Sequence, residues 1–206
     1  MALRLALAGA ELALTTATSD AEEAFEVQRL ARNLATQGSQ ARAEALDLSS
    51  GANVQVAVRQ VAKALGGLDA AVVISDQRQE RATQRLSDAE WTKVVGQNLG
   101  AVFYVARAAY REFASREPDA VGVRGRVVVV QREPSERDGS VYKAAKIGAL
   151  ALVQALREEW QEDGVAVSLV SVPGTEEDRV VARATETVIA LLDAPPSASG
   201  VHRVEL

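Results

Sequence analysis

The sequence predicts an α/β fold in which a parallel β-sheet is covered by helices on both faces. Short apolar runs with strand character alternate with longer segments whose apolar residues recur at helical spacing. These helical segments are long enough to connect the end of one strand to the start of a parallel neighbour. With 206 residues, 48% of them hydrophobic, the chain has enough apolar material for a single compact domain over residues 1–206.

The first half of the chain contains three strand signals separated by helices. Residues 2–8 are compatible with a helix, and residues 11–16 have the pattern of a buried strand. Ser19 and Glu22 form a capping-box pattern, which predicts a helix from Asp20 to about Thr36. The next predicted elements are a strand over residues 41–46, a helix over about 52–65 and a strand over 68–74.

The second half opens with another capping-box pattern, formed by Ser87 and Glu90. It predicts a helix over residues 88–114, whose apolar positions cover more than one face, as in a helix buried on several sides. The remaining predicted elements are a strand over 127–130, a helix over 142–162, a strand over 165–172, a helix over 178–192 and a closing strand over 201–205.

The candidate chemistry lies at the start of the helix over 142–162. Tyr142 and Lys146 are four residues apart, so their side chains share one helix face. An ammonium close to a phenol favours the phenolate, and Lys146 is therefore expected to lower the pKa of Tyr142 from about 10. Tyr142 could then act as a general acid or base. The alternative is a helix start that carries these two residues by chance.

Composition excludes several other classes of function. The net charge of −5 and the lack of a basic stripe argue against a nucleic-acid partner. No apolar run approaches the ~20 residues of a membrane span, and residues 1–10 do not form a convincing signal peptide. The chain has no cysteine and one histidine, His202, so no metal site is expected. A cytoplasmic protein without a membrane or nucleic-acid partner is predicted.

The features that follow Tyr142 resemble the short-chain dehydrogenase/reductase family. Tyr142 and Lys146, the turn at Asp163 and Gly164, the next strand and Pro173–Gly174 occur in the family's order. The resemblance implies a Rossmann-like, doubly wound parallel sheet of about six strands and an NAD(P) cofactor.

The resemblance also implies roles for individual residues. Tyr142 would be the catalytic acid, Lys146 would lower its pKa and orient the cofactor ribose, and Asn98 would hold a proton-relay water. For Asn98 the alternative is a helix kink or a local hydrogen bond. The residues implied to bind cofactor are Asp47, Leu48, Pro173 and Gly174.

Four features depart from the family pattern. The first strand and its Gly-rich turn have no counterpart, and no G-x-x-x-G-x-G occurs in the sequence. Asp76 follows a strand where the family has a small residue. Residues 131–132 stand at the place of the catalytic serine, for which Ser135 or Ser140 could substitute only if their loop refolds. Residues 175–177 are all that separate Pro173–Gly174 from the last helix, which leaves no room for a substrate lid.

These departures lead to two hypotheses. The first is a degenerate family member that binds no nicotinamide cofactor tightly and serves as a structural or regulatory subunit. It would associate with itself or with an intact paralogue through the helices over 88–114 and 142–162, burying the region of Leu152 and Val153. The alternative is an active NAD(P)-dependent oxidoreductase that reduces a carbonyl or oxidises an alcohol through Tyr142 and Lys146.

The lack of a first strand also leads to an expectation about the sheet. Two sheet fragments with buried, unpaired edges would be costly. The strand over 11–16 is therefore expected to pair directly with the strand over 68–74, with residues 2–8 displaced to a flank. The expected order is 41–46, 11–16, 68–74, 127–130, 165–172 and 201–205.

Overall fold

The computed structural model describes residues 1–174 and 178–204 and has the predicted α/β architecture. Helices and strands alternate along the chain, and every strand pairing is parallel. The helices are α1 (Ala2–Leu7), α2 (Ala21–Thr36), α3 (Gly51–Leu65), α4 (Asp88–Val95), α5 (Ala101–Phe113), α6 (Ser140–Glu159) and α7 (Asp178–Leu192). The strands are β1 (Leu12–Thr15), β2 (Ala41–Glu44), β3 (Ala70–Ile74), β4 (Gly125–Arg132), β5 (Val165–Val172) and β6 (Val201–Arg203).

The helix starts follow the sequence signals closely, with one correction. Ser87 and Glu90 form the predicted capping box at the start of α4. At α2, however, the N-cap is Asp20, whose carboxylate accepts hydrogen bonds from the backbone amides of Glu22 and Glu23. The predicted helix over 88–114 is also divided, because a π-helical turn at Gly96–Gly100 separates α4 from α5.

The strands form two separate sheets. One contains β1 and β2, and the other contains β3, β4, β5 and β6 in that order. The neighbours within each sheet are those predicted. The predicted pairing between the strand over 11–16 and the strand over 68–74 is wrong, because β1 and β3 belong to different sheets. The end of the predicted closing strand at Glu205 and the short connection over 175–177 lie outside the described residues.

Side-chain contacts explain why β1 does not move against β3. Thr16 ties β1 to the chain after β2, since its hydroxyl donates to the Leu46 carbonyl at 2.8 Å and accepts from the Leu46 amide at 2.7 Å. Helix α3, which follows β2, packs against α5, where the Tyr104 ring lies directly over Gly51. Because α5 also packs on β3 and β4, closing the gap would require α3 to slide along α5.

The main core lies where α5 and α6 pack on the four-stranded sheet. Phe113 is fully buried in it, directly over Gly125, where a side chain would collide with the ring. A second apolar cluster joins the opposite face of β4 and β5 to α7. The sheet is therefore covered on both faces, and the carboxyl ends of its strands, where loops meet, are the place for a site.

Candidate active site

The three predicted catalytic side chains converge on one short segment, Ser75–Gln77, which directly follows β3. Lys146 donates from Nζ to the Ser75 carbonyl at 2.5 Å. Tyr142 donates from its hydroxyl to the Asp76 carboxylate. Asn98 donates from Nδ2 to the Gln77 carbonyl at 2.7 Å. The loop after β3 thus fastens the start of α6 and the π-helical turn to the same point.

Gln79, in the same loop, fixes the entry into α6. Its side-chain oxygen accepts from the backbone amides of Val141 at 2.9 Å and Tyr142 at 3.4 Å, which are unpaired donors in the first turn of the helix. Its amide nitrogen donates to the Arg81 carbonyl at 2.7 Å. Gln79 therefore replaces the missing side-chain cap at the N-cap residue Gly139 and holds Tyr142 in place.

The Tyr142 hydroxyl belongs to a cluster of charged side chains that contains two carboxylates, Asp76 and Asp138. Lys146 Nζ lies 3.3 Å from Asp76, and Arg132 Nε lies 3.4 Å from the other oxygen of the same carboxylate. Arg132 also forms a two-pronged pair with Asp138, at 2.8 Å and 3.0 Å. The Arg132 guanidinium lies over the Tyr142 ring, 4.9 Å from its centroid. A third cation, Arg78, lies 3.5 Å from Asp76 through its Nε, so cations outnumber carboxylates in the cluster.

The protonation of Tyr142 differs from the expectation. Burial raises the pKa of Tyr142, and the hydrogen bond to Asp76 and its negative charge raise it further. The predicted lowering of this pKa by Lys146 is therefore wrong. Lys146 is nearly inaccessible, at 1% exposed, and burial lowers its own pKa although Asp76 opposes the shift. Its ammonium is engaged by Asp76 rather than by a phenolate.

The pKa of Asp76 is lowered. Burial acts to raise it, but the hydrogen bond from Tyr142 and the positive charge of Lys146 outweigh burial. The pKa of Asp138 is lowered well below its usual range, chiefly by its hydrogen bonds from Arg132. At neutral pH the cluster holds two carboxylates, a neutral phenol and three basic side chains, those of Arg78, Arg132 and Lys146.

Asn98 makes the local hydrogen bonds that were the alternative to a catalytic role. It is buried in the π-helical turn, and Nδ2 donates to the Val94 carbonyl at 2.8 Å as well as to Gln77. The side-chain oxygen of Asn98 has no hydrogen-bond partner in the structure. The side chain joins the widened turn to the loop after β3.

The predicted cofactor-binding residues lie around this cluster without joining it directly. The Asp47 carboxylate accepts from the amide and hydroxyl of Ser49, at 2.9 Å and 2.6 Å. It also accepts from Gln97, next to Asn98, at 3.4 Å. Leu48 is buried. Gly174, directly after Pro173, lies against Arg132, so this pair borders the cluster from the end of β5.

Sequence reasoning missed the partners of Tyr142. Asp76 was noted only as a departure from the small residue of the family, and its contacts with Tyr142 and Lys146 were not predicted. Arg132 and Asp138 were not assigned a role. The available signal was that charged residues follow both β3 and β4, whose carboxyl ends lie side by side in a parallel sheet. Ser135 donates to Asp138 and Ser140 pairs with Thr83, so neither serine hydroxyl is bonded to Tyr142.

Among residues 1–174 and 178–204, no group of three or more His, Asp or Glu side chains is arranged to hold a metal ion. His202, for which no role was predicted, contacts the Ala198 carbonyl at 3.1 Å. Within the same described part of the chain, no helix has the length and apolar character needed to cross a membrane.

Comparison with known families identifies the architecture. Residues 1–187 match the family model for short chain dehydrogenases. Among solved structures, a metagenomic short-chain oxidoreductase in complex with NADP superposes with a TM-score of 0.79 at 24% identity, covering 100% of this chain and 90% of that one. A short chain dehydrogenase from Mycobacterium smegmatis gives a TM-score of 0.82 at 23% identity, covering 100% of this chain and 85% of that one. These likenesses concern the fold.

Curated relatives include enzymes named as reductases. The 3-oxoacyl-acyl-carrier-protein reductase FabG of Vibrio cholerae is 23% identical over 160 residues, which are 78% of this chain and 64% of that protein. The acetoacetyl-CoA reductase of Allochromatium vinosum is 27% identical over 131 residues, which are 62% of this chain and 50% of that protein. The chain therefore spans less than two thirds of the length of these relatives.

Proposed function

Since the chain belongs to the short-chain dehydrogenase family, whose model covers residues 1–187, we propose that it is a non-catalytic member that serves as a structural or regulatory subunit. One observation carries this proposal: the Asp76 carboxylate accepts the proton of the Tyr142 hydroxyl in a hydrogen bond and pairs with Lys146. The group that would act as acid and the cation that would assist it are both occupied by a side chain of the same protein.

Asp76 opposes catalysis in two ways. A general acid must donate its hydrogen bond to the reacting oxygen, but an anionic carboxylate is a stronger acceptor than a neutral carbonyl and competes for the same proton. The negative charge also raises the pKa of Tyr142 away from the operating range of a proton donor and acceptor. Arg132 and Asp138 hold Asp76 and Tyr142 in this arrangement.

The same contacts do not fit a nicotinamide nucleotide. The ammonium of Lys146 donates to Ser75 and pairs with Asp76, so it is not directed at a ribose. Asp76 also places a larger side chain where the family has a small residue, which leaves less room for a cofactor. We expect dissociation constants for NAD(H) and NADP(H) above about 1 mM, which corresponds to less than about 4 kcal/mol of binding free energy.

Calorimetry and a tyrosine titration test the proposal together. Purified protein should show no saturable binding of NADH or NADPH up to about 1 mM, and binding in the micromolar range would contradict the proposal. In an ultraviolet pH titration, Asp76→Asn should lower the pKa of Tyr142 because it removes the negative charge. The variant Tyr142→Phe lacks the Tyr142 titration and therefore identifies which part of the ultraviolet signal belongs to Tyr142.

Asp163→Asn is the matched control for this titration. Tyr110 donates to Asp163 at 2.8 Å, and this hydrogen bond raises the pKa of Tyr110. The control variant should therefore shift the Tyr110 signal and leave that of Tyr142 unchanged. If Asp76→Asn leaves the Tyr142 signal in place, the contact with Asp76 is not formed in solution and the proposal loses its basis.

The partner in this proposal is a second copy of the chain or an intact paralogue. Helices α4, α5 and α6 expose Trp91, Phe103 and Ile147, which are 52%, 39% and 59% exposed. Large apolar side chains exposed on neighbouring helices are typical of an interface. Val153 cannot belong to it, since its side chain lies in the core of its own subunit. Leu152 is only partly buried against that core.

Light scattering tests the interface. We expect a dimer or larger oligomer at micromolar concentration, and Ile147→Arg should dissociate it because an unpaired charge at an interface costs several kcal/mol. Val56→Arg is the matched control, since Val56 is 56% exposed on α3, which is not one of the three helices of the proposed interface. A wild-type monomer would argue against self-association, and co-purification with a paralogue would then be required.

A second candidate function is the active oxidoreductase. It is favoured by the convergence of Tyr142, Lys146 and Asn98 on Ser75–Gln77 and by the reductase names of the relatives. NADPH consumption with acetoacetyl-CoA that is lost in Tyr142→Phe would establish it in place of the first proposal. A cytoplasmic location is part of both proposals and agrees with a chain that contains no cysteine.

A further inference from the structure

The segment that follows β3 has no backbone pairing of its own. β3 ends at Ile74, and within the described part of the chain no backbone–backbone hydrogen bond involves residues 76–81. Every residue from 76 to 81 is also at least partly exposed. Such a segment is held in place by its side chains, and segments of this kind are among the first parts of a protein to open.

Three side-chain anchors hold this segment against the start of α6. We call residues 76–83 the strap. The first anchor is Asp76, which accepts a hydrogen bond from the Tyr142 hydroxyl. The second is Gln79, whose side-chain oxygen accepts from two backbone amides in the first turn of α6, at 2.9 Å and 3.4 Å. The third is Thr83, whose hydroxyl pairs with that of the first residue of α6. All three anchors therefore act on one helix start.

The Gln79 anchor fits because the N-cap residue of α6 is Gly139. A Cβ atom at Gly139 would collide with the side-chain amide of Gln79. The backbone of Gly139 has a φ of −63° and a ψ of 151°, which is a conformation that alanine also adopts. The need for glycine at this position therefore comes from Gln79 and not from the backbone. Gly139→Ala is expected to displace Gln79 without straining the helix start.

We propose that the strap is an autoinhibitory device that opens and closes as a unit, so that release of the Gln79 anchor also releases the Tyr142 hydroxyl from Asp76. This inference rests on the proposed function, because the contact between Asp76 and Tyr142 is the closed state of the strap. It goes further, since the site is then blocked by a movable segment and not by one fixed side chain. Opening of the strap frees Tyr142 and the first turn of α6 at the same time.

The short distance along the chain between the anchors couples them. Only two residues, Gln77 and Arg78, separate Asp76 from Gln79. Arg78 pairs with Asp76 at 3.5 Å, and the Gln77 carbonyl accepts from Asn98 in the π-helical turn at 2.7 Å. Because the backbone between the anchors is otherwise unpaired, each anchor keeps the next one at a high effective concentration near its partner. The loss of one anchor should therefore weaken its neighbours.

Amide hydrogen exchange followed by NMR on the full chain tests the coupling from Asp76 to Gln79. The Val141 amide lies in the first turn of α6 and donates to Gln79, so its protection reports the closed strap. Asp76→Ala should speed its exchange by ~10-fold or more, although Asp76 does not touch this amide. The amides of Val128 and Val129 in β4 should keep their protection, which shows that the variant is folded. Unchanged exchange at Val141 would show that the anchors are independent and would overturn the proposal.

The ultraviolet titration of Tyr142 tests the coupling in the opposite direction. Gly139→Ala should lower the pKa of Tyr142, although it does not touch Asp76, because an open strap removes both the burial and the negative charge that raise this pKa. Gln79→Ala should act in the same direction without adding a methyl group at the helix start. If neither variant lowers the pKa of Tyr142, the strap does not open as a unit and the proposal is wrong.

Gly51→Ala is the matched control. Gly51 is the first residue of α3, and a Cβ atom there would collide with the Tyr104 ring, so this variant also pushes a side chain away from a helix start. It should leave the exchange of Val141 and the pKa of Tyr142 unchanged. Effects as large as those of Gly139→Ala would show that loosened packing anywhere in the protein produces them, which would overturn the proposal.

The same measurements separate the strap from the proposed function. If Asp76→Asn lowers the pKa of Tyr142 but Gly139→Ala and Gln79→Ala do not, the contact between Asp76 and Tyr142 exists and only the strap is wrong. If Asp76→Asn also leaves this pKa in place, both proposals lose their basis. A lower pKa in all three variants, together with faster exchange at Val141 in Asp76→Ala, is the result expected for the strap.

Discussion

Strands β1 and β3, which border the gap between the two sheets, differ sharply from β4 and β5 in the middle of the four-stranded sheet. Residues Gly125 to Gln131 of β4 are all buried, as are Val165 to Ser171 of β5. In β1 no residue is buried, and in β3 only Val73 is. β3 belongs to the same sheet as β4, but its residues are as poorly buried as those of β1. The burial of a strand therefore depends on how many of its edges are paired, and covering helices alone do not bury it. The same contrast predicts how the two regions tolerate added volume and lost hydrogen bonds.

The largest expected effect comes from adding volume. Gly125→Ala places a methyl group against the Phe113 ring, which is fully buried and cannot retreat, so we expect a loss of about 3 kcal/mol in the free energy of unfolding. Ala13→Val adds more volume beside the gap between the two sheets and should change stability by less than ~0.5 kcal/mol. Urea denaturation measures both. Similar losses at the two positions would show that the space beside β1 is packed as tightly as the core.

A smaller effect is expected from lost hydrogen bonds. Thr16→Val removes the hydroxyl that serves both backbone groups of Leu46, which leaves them unpaired and should cost ~1–3 kcal/mol. Thr185→Val is the matched control at a second buried threonine. Its hydroxyl donates to the Val181 carbonyl at 2.7 Å, which the helix already satisfies, so a loss below ~0.5 kcal/mol is expected. Equal losses would mean that Thr16 does not hold β1 beside β2.

Much of the fold follows from local sequence patterns. The predicted bounds of β5 and α7 match the structure, because Val165–Val172 is apolar except for Ser168 and Ser171 and the helix over 178–192 has clear periodicity. The capping box at Ser87 was also correct. The strand pairing between β1 and β3 was not, because it depends on the packing of α3 against α5, which no local pattern reveals. The expected cost of leaving strand edges unpaired did not bring β1 and β3 together, because the packing of α3 against α5 keeps them apart.

The site shows the same limit. Helical spacing placed Tyr142 and Lys146 correctly on one face of α6. The pKa of Tyr142 is raised instead by burial and by Asp76, which is 66 positions away in sequence and reaches the hydroxyl through the turn after β3. The (i, i+4) spacing of Tyr142 and Lys146 does not reveal that the Lys146 ammonium already binds the Asp76 carboxylate. The π-helical turn at Asn98 was likewise not predicted, because it lies inside the long helix predicted over residues 88–114.

In the described part of the chain, β1 and β3 each pair with one strand only, and the unpaired edge of each affects how the protein behaves in a cell. An exposed strand edge is a template on which other extended chains can add, and it invites aggregation during synthesis. Quality-control chaperones and proteases act on such species continuously, so modest changes in their population alter steady-state abundance several-fold.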